Sequence, residues 1–125
     1  MPGQTYNDKP LYQKLGIKPG MEIAVLRFSE IDFVNGQPFD RSLVADKLYD
    51  VILFRADEFP HLRDLRMIKP HVAERGGLWV VYPKGQKHIT QNHVMFAGNT
   101  DGFVDNKVVR FSDTHTGLRF VRRLK

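Results

Sequence analysis

Asp50-Val51-Ile52-Leu53-Phe54-Arg55-Ala56 is the stretch from which the fold is read. Four consecutive apolar residues, Val51 to Phe54, suit a strand covered on both faces in a parallel sheet; a half-exposed hairpin strand would alternate. Upstream, Glu22-Ile23-Ala24-Val25-Leu26-Arg27-Phe28 reads as a first buried strand, and downstream Leu78-Trp79-Val80-Val81-Tyr82 reads as a third. Between the second and third strands Pro60 opens a helical pattern. Leu62, Leu65 and Ile68 recur on one side of it while Arg63, Asp64 and Lys69 stay wet. Pro70 interrupts that run, and Gly76-Gly77 is expected to end it before the third strand starts. The unit is strand, helix, strand, which makes an α/β layer.

Working outward, a short helix or turn is expected around Leu11 to Leu15, followed by Gly16, Pro19 and Gly20 as punctuation. Asn35-Gly36 and Pro38 mark a loop after the first strand. Asp40 is placed to cap a short helix over Phe39 to Leu48, with Leu43, Val44 and Leu48 as its apolar positions. Thr90 is placed to cap another through Ala97. Residues 103 to 111 read either as one bent strand or as an extended entry followed by a strand. Leu118, Phe120, Val121 and Leu124 then supply the apolar groups of a last strand, with Arg119 and Arg122 mainly between them. Asp113 to Gly117 joins these two as an antiparallel hairpin. The expected fold class is α/β: a single three-layer Rossmann-like domain, mainly parallel, with a C-terminal antiparallel hairpin.

At 125 residues one domain is expected, spanning 1–125 with a loose polar arm at about 1–9. A content of 42% hydrophobic and 26% charged residues fits a globular protein and excludes a disordered tail. The absence of cysteine excludes disulfides, thiolate metal sites and a cysteine nucleophile. No apolar run approaches 18 residues and no signal-peptide pattern occurs, so cytoplasmic residence without a membrane is expected. Net charge is +5 but uneven. Residues 1–60 hold seven basic and nine acidic side chains, residues 61–125 twelve and five. A basic second half can attract phosphate, nucleic acid or an acidic protein, although moderately basic domains are commonly just well solvated.

The chain resembles the bacterial family called domain of unknown function 3052 across nearly its full length. The matching residues are Leu15-Gly16-Ile17-Lys18-Pro19-Gly20, then Leu78-Trp79-Val80 with Tyr82-Pro83-Lys84, then Gly102-Phe103-Val104-Asp105-Asn106-Lys107-Val108, and finally Asp113 through Arg123. That resemblance implies no particular activity. More distantly, the strand from Tyr49 to Phe54, the crossover, Lys69-Pro70, Gly76-Gly77 and the terminal hairpin resemble the later part of a Rossmann-like S-adenosylmethionine methyltransferase. This second resemblance implies three parallel neighbouring strands, with the last strand inserted beside the third and the 103–111 strand outside it. It also implies S-adenosylmethionine as a cofactor, held after the first strand. The chain departs from the pattern there: Ile23 to Phe28 runs into Ser29-Glu30-Ile31-Asp32-Phe33 without a glycine-rich turn. An acidic residue ending the next strand, for ribose hydroxyls, has no clear place either; Glu30 or Asp32 could substitute, and a helix cap or a solvated loop charge is the blander reading.

Candidate ligand-binding residues are Tyr82 and Lys84 after the third strand, together with Asp105, Asn106 and Lys107. Segments beyond the carboxyl ends of parallel strands line crevices, and a lysine with an asparagine amide can orient an anion. The alternative is that Pro83 stops the strand, Asp105-Asn106 stabilises an extended turn and the lysines are solvated. Arg119, Arg122 and Arg123 are the candidate phosphate-binding group. Trp79 and Tyr82 could stack on a ring, yet both follow a core pattern. His88 and His93 lack a metal-ligand spacing, and no metal is assigned to them or to His61 and His71. Ser112-Asp113 with His115 contains the residue types of a nucleophilic relay, but a tight loop explains them better.

The function expected first is a non-catalytic interaction or regulatory domain on a reduced methyltransferase-like scaffold, as a homo-oligomer or bound to another protein. The alternatives are an S-adenosylmethionine-dependent methyltransferase or small-molecule cofactor binder, with its ligand near Phe28 to Asp32 and Asp57 to Pro60, and a phosphate or nucleic-acid module. No catalytic residue is assigned. What separates the first two is whether the crevice at the strand carboxyl ends is open or filled by Phe28, Ile31 and Phe33.

Overall fold

Three apolar runs become the parallel strands of one open sheet. In a computed structural model, residues 9–124 are described, and they form β1 (Ile23–Leu26), β2 (Tyr49–Arg55), β3 (Val72–Pro83), β4 (Phe103–Arg110) and β5 (His115–Arg122). The strand order is β1-β2-β3-β5-β4. β1 lies parallel to β2 with Ile23 opposite Val51 and Leu26 opposite Phe54, and β2 lies parallel to β3 with Leu53 opposite Trp79. β5 runs antiparallel to both β3 and β4. This is the arrangement the methyltransferase resemblance implied, including the last strand inserted beside the third. The polar arm expected at about 1–9 lies, except for Lys9, outside the described residues.

Both sheet faces are covered because both faces of the central strands are apolar. Ile52, Phe54, Leu78, Val80, Leu118 and Phe120 point into a core closed by Leu62, Leu65, Ile68 and Val94. Those last four come from the α-helices α2 (Leu65–Ile68) and α3 (Gln91–Gly98) and a 3-10 helix over Phe59–Asp64. On the other face Val51, Leu53, Trp79 and Val81 pack under Leu15, Ile17, Phe28 and Phe33. Here the cover is irregular chain after the one-turn helix α1 (Leu11–Lys14). Burying each of these large side chains contributes roughly 1.5–3 kcal/mol, which outweighs the loose backbone of that layer. Trp79 locks the layer in place, its indole Nε1 donating to the Leu15 carbonyl at 3.1 Å.

Helix α3 starts as its sequence indicates: the Thr90 hydroxyl accepts from the His93 N–H at 3.2 Å, and His93 Nδ1 accepts from the Thr90 N–H at 3.1 Å. Its other end is held from outside by a buried lysine. Lys69 Nζ donates to the carbonyls of Ala97 at 3.1 Å and Thr100 at 3.0 Å and to the Thr100 hydroxyl at 2.6 Å. This corrects the expectation that Lys69 stays wet, since it is 3% exposed. A long aliphatic stem reaches carbonyls that a helix end leaves unpaired.

Three other expectations are corrected. The segment 39–48 is not a helix: the Asp40 N–H donates to the Ile23 carbonyl at 2.9 Å and its carbonyl accepts from Val25 N–H at 2.8 Å, so it runs briefly as a bridge along the edge of β1. The Asp40 carboxylate accepts from Lys47 at 2.8 Å and Tyr49 at 2.6 Å and caps nothing. The crossover after Pro60 is one turn of α-helix, Leu65–Ile68, between two 3-10 segments, Phe59–Asp64 and Lys69–His71. Gly76-Gly77 lies inside β3 and does not precede it.

The two glycines serve close approach. A Cβ on Gly76 would meet the Tyr49 carbonyl oxygen at 2.7 Å and that of Asp50 at 3.0 Å, where the β2–β3 register shifts. A Cβ on Gly77 would meet the Arg119 guanidinium. Gly76→Ala therefore forces two backbones apart, whereas Gly77→Ala displaces only the end of a flexible side chain. In urea unfolding, Gly76→Ala is expected to lower stability by roughly 1–3 kcal/mol, the usual range for overpacking, and to exceed the loss in Gly77→Ala.

Candidate functional site

The carboxyl edge of the sheet gathers the chemistry. β1, β2 and β3 end there at Leu26, Arg55 and Pro83, and β5 begins there, with His115 opposite Pro83. Directly after β1 the chain turns at Arg27 with φ +71°, a left-handed conformation at a non-glycine residue. Phe28 and Phe33 then fold back over the sheet and meet Phe111 from the end of β4. Their ring centroids lie 5.0 Å, 5.6 Å and 5.1 Å apart, the first and third contacts edge-on. Ile31, expected beside them, is half-buried against the same cluster. These three phenyl rings pack against one another beside the strand ends.

What remains is a crevice of about 220 Å³. Its floor is Phe28, Phe33, Val81 and Phe111; one wall carries Ser29, Glu30 and Asp32, the other Arg55, Ser112, Thr114 and His115. The second wall is held by a continuous polar chain. Asp57, just past β2, accepts from Arg55 Nε at 2.8 Å on one oxygen and bonds His115 Nε2 at 2.8 Å on the other. His115 Nδ1 lies 2.9 Å from the Thr114 hydroxyl. Since the carboxylate only accepts, Nε2 carries a proton toward Asp57, and in the neutral ring Nδ1 accepts from Thr114. Behind Asp57, its carbonyl accepts from His88 Nε2 at 2.9 Å. The hairpin is thus tied to the end of β2, two strands away.

Burial works to raise the Asp57 carboxyl, but the hydrogen bonds from His115 and Arg55 outweigh it and hold the group below the ordinary carboxylate range. The segment is a tight loop, as its sequence indicates, but Ser112 serves its backbone in place of the expected Asp113 and Thr114: its hydroxyl accepts from the N–H groups of Thr114 at 3.2 Å and His115 at 3.1 Å. The Asp57–His115 bond spans 58 positions and has no sequence signature. Only the topology, which brings the end of β2 and the start of β5 to one edge, could have suggested it. Among the described residues no group of three or more His, Asp or Glu is placed to hold a metal ion.

The residues singled out as one ligand group are not together. Tyr82 is buried under the helical layer, its phenol pushed up by desolvation, and Lys84 is exposed beyond the strand end. Asp105 pairs with Phe120, which pairs with Leu78, so it lies about 13 Å along the sheet from the level of Tyr82. Each of the three β4 residues has a local partner. The Asp105 carboxylate accepts from the Asn99 amide at 2.8 Å, Asn106 accepts from Arg119 at 3.4 Å, and Lys107 donates to the Lys14 carbonyl at 3.3 Å. Asn106 sits at a shift in the β4–β5 register, so the 103–111 segment is one bent strand.

The three arginines do not share a face either. Arg122 donates to the Val72 carbonyl at 2.7 Å and to that of Lys69 at 3.2 Å, with its guanidinium 5.0 Å from the Phe103 ring centre. Arg119 lies on the opposite face against Gly77, where burial lowers its pKa. Arg123 is exposed.

Comparison with known proteins identifies the scaffold. No family model matches the chain, and no curated protein sequence does. Among solved structures the chain is similar to a candidate methyltransferase from Thermoplasma acidophilum, with TM-score 0.63 and 10% identity over 92% of this chain and 74% of that one. It is also similar to the ribosomal protein L11 methylase of Lactobacillus delbrueckii subsp. bulgaricus, with TM-score 0.62 and 14% identity over 90% and 75% of the two chains. A third similar structure is the mitomycin 7-O-methyltransferase MmcR, with TM-score 0.57 and 12% identity over 90% and 53%. The fold is Rossmann-like and methyltransferase-like. At these identities the likeness is one of architecture.

The Asp57 network makes a pH prediction. A carboxyl whose folded pKa is depressed adds stability that is present above its unfolded value, near 3.9, and is lost as pH falls through the folded value. Asp57→Asn is therefore expected to be less stable than the parent at neutral pH, with the difference shrinking below about pH 4. Chemical denaturation of both proteins between neutral pH and pH 3 measures it, and a difference that does not shrink as the pH falls below about 4 contradicts the assignment.

Proposed function

We propose that this domain is a non-catalytic regulatory module that binds a small ligand in the carboxyl-edge crevice of a methyltransferase-like scaffold. The observation that carries the reading is the crevice itself: Phe28, Phe33 and Phe111 occupy the strand ends, and about 220 Å³ remains beside them, walled by polar side chains. Ligand pockets in open α/β sheets lie at this edge, and those for drug-sized ligands run to roughly 300–1,000 Å³. The space suits a smaller molecule.

S-adenosylmethionine does not fit the residues present. Three rings stand over the strand ends, and the turn after β1 is made by Arg27 and Phe28, whose side chains oppose the close backbone approach that glycines permit. A second reading, an S-adenosylmethionine-dependent methyltransferase or cofactor binder, is favoured by the scaffold likeness and by the position of the crevice beyond the parallel strands. It requires the phenylalanines to swing away. Membership of the domain of unknown function 3052 family is compatible with either reading. The phosphate or nucleic-acid reading draws no support from Arg119, Arg122 and Arg123, which face different ways. As for a membrane, no helix among the described residues is long and apolar enough to cross one.

Calorimetric titration with S-adenosylmethionine and S-adenosylhomocysteine separates the first two readings. The expected result is no saturable heat and no shift in melting temperature for the folded protein. Saturable 1:1 binding of either compound would replace the first reading with the second.

A further inference from the structure

The crevice sets two carboxylates without an ion-pair partner among the described residues against a guanidinium that Asp57 pairs through Nε. Glu30 and Asp32 line one wall and Arg55 the other, and among the described residues no ion pair joins them. Arg55 is engaged through Nε alone, by Asp57 at 2.8 Å, so its terminal amino groups are left to donate. Beside it, the Ser112 hydroxyl accepts two main-chain N–H bonds and turns its own proton to the Thr114 hydroxyl at 3.3 Å, Thr114 having given its proton to His115. Glu30 and Asp32 are exposed and make no salt bridge among the described residues. The floor between the walls is aromatic, from Phe28, Phe33 and Phe111.

A small cation would leave the terminal amino groups of Arg55 without a partner, and a small anion would leave Glu30 and Asp32 without one. A larger molecule would exceed about 220 Å³. We propose that the crevice binds a small zwitterion with an apolar side chain, in the class of a free aromatic α-amino acid. Its carboxylate lies on the terminal amino groups of Arg55, its ammonium between Glu30 and Asp32, and its side chain on the three phenyl rings. A guanidinium suits a planar carboxylate, and ring faces near the acidic wall favour an ammonium. The Asp57–His115–Thr114 chain has a positioning role: it holds Arg55 and the hairpin turn at the spacing the ligand bridges.

This rests on the small-ligand reading above and names the ligand class for the same site. The test is a titration of the isotope-labelled protein, followed by amide resonances, with L-phenylalanine, phenethylamine and N-acetyl-L-phenylalanine. Phenethylamine lacks the carboxylate and N-acetyl-L-phenylalanine the ammonium. L-phenylalanine is expected to give saturable shifts at residues 29–33 and 112–115, with each analogue at least roughly tenfold weaker, the effect of losing one charged hydrogen-bonding group. The double variant Glu30→Gln/Asp32→Asn, which alters exposed loop residues, is expected to melt like the parent and to lose L-phenylalanine binding by a similar factor. Either analogue binding as tightly as L-phenylalanine, or the double variant binding unchanged, overturns the proposal. Titrations with acetate and with ethylammonium separate it from the underlying reading. If these ions move the same amides and L-phenylalanine does not, the crevice is a ligand site of another class. If none of the compounds moves them, both ideas fall.

Discussion

Strand β3 is hydrogen-bonded along both edges and buried on both faces, and this double demand organises the domain. Its Leu78 to Val81 stretch pairs with β2 on one side and β5 on the other, so its main-chain groups are committed and its side chains need cover. Helical segments supply the cover on one face. On the other, the chain from Leu11 to Phe33 does so with little regular structure, anchored where Trp79 meets the Leu15 carbonyl. Gly117 makes room for that indole: a Cβ there would approach it to 3.3 Å. The position of α1, the entry into β1 and the fold-back of Phe28 and Phe33 all follow from keeping β3 dry.

The same demand explains what could be read from the sequence. Buried parallel strands must be apolar on both faces, so Val51 to Phe54 and Leu78 to Tyr82 declare themselves, as does the hairpin, through alternation and its turn residues. Thr90 declares the start of α3 because capping is local. The misread elements are those decided at a distance. Asp40 looks like a cap and the residues after it like a helix, but the edge of β1 offers its backbone a ladder partner and Lys47 and Tyr49 take its carboxylate. Gly76-Gly77 looks like a stop signal because nothing local reveals the register shift of β2 that needs the missing side chains.

The candidate site was half legible for the same reason. Phe28, Glu30 and Asp32 follow a recognisable strand, so their place at its carboxyl end is a topological consequence. Arg55, Asp57 and His115 come together only because β5 is inserted beside β3, which brings a turn from the far end of the sequence over the end of β2. Grouping Asp105 to Lys107 with Tyr82 and Lys84 failed on register. Asp105 to Lys107 lie within β4 and Tyr82 near the end of β3 in the same sheet, yet the register puts Asp105 level with Phe120 and Leu78.

Charge shows most plainly how composition misleads about interfaces. The excess of basic residues after position 60 suggests a field that attracts polyanions, but several of these cations face inward. Lys69 holds the end of α3, Arg122 ties the start of β3 to the hairpin, and Arg119 lies flat against Gly77. Each has exchanged water for carbonyl, amide or aromatic partners, which suits long side chains that bury a stem and satisfy a cationic head at one point. A cation fixed in this way cannot turn to meet a phosphate without uncovering the carbonyls it serves. At the carboxyl-edge crevice Arg55 lines one wall and Glu30 and Asp32 the other, and together they call for a partner of both signs.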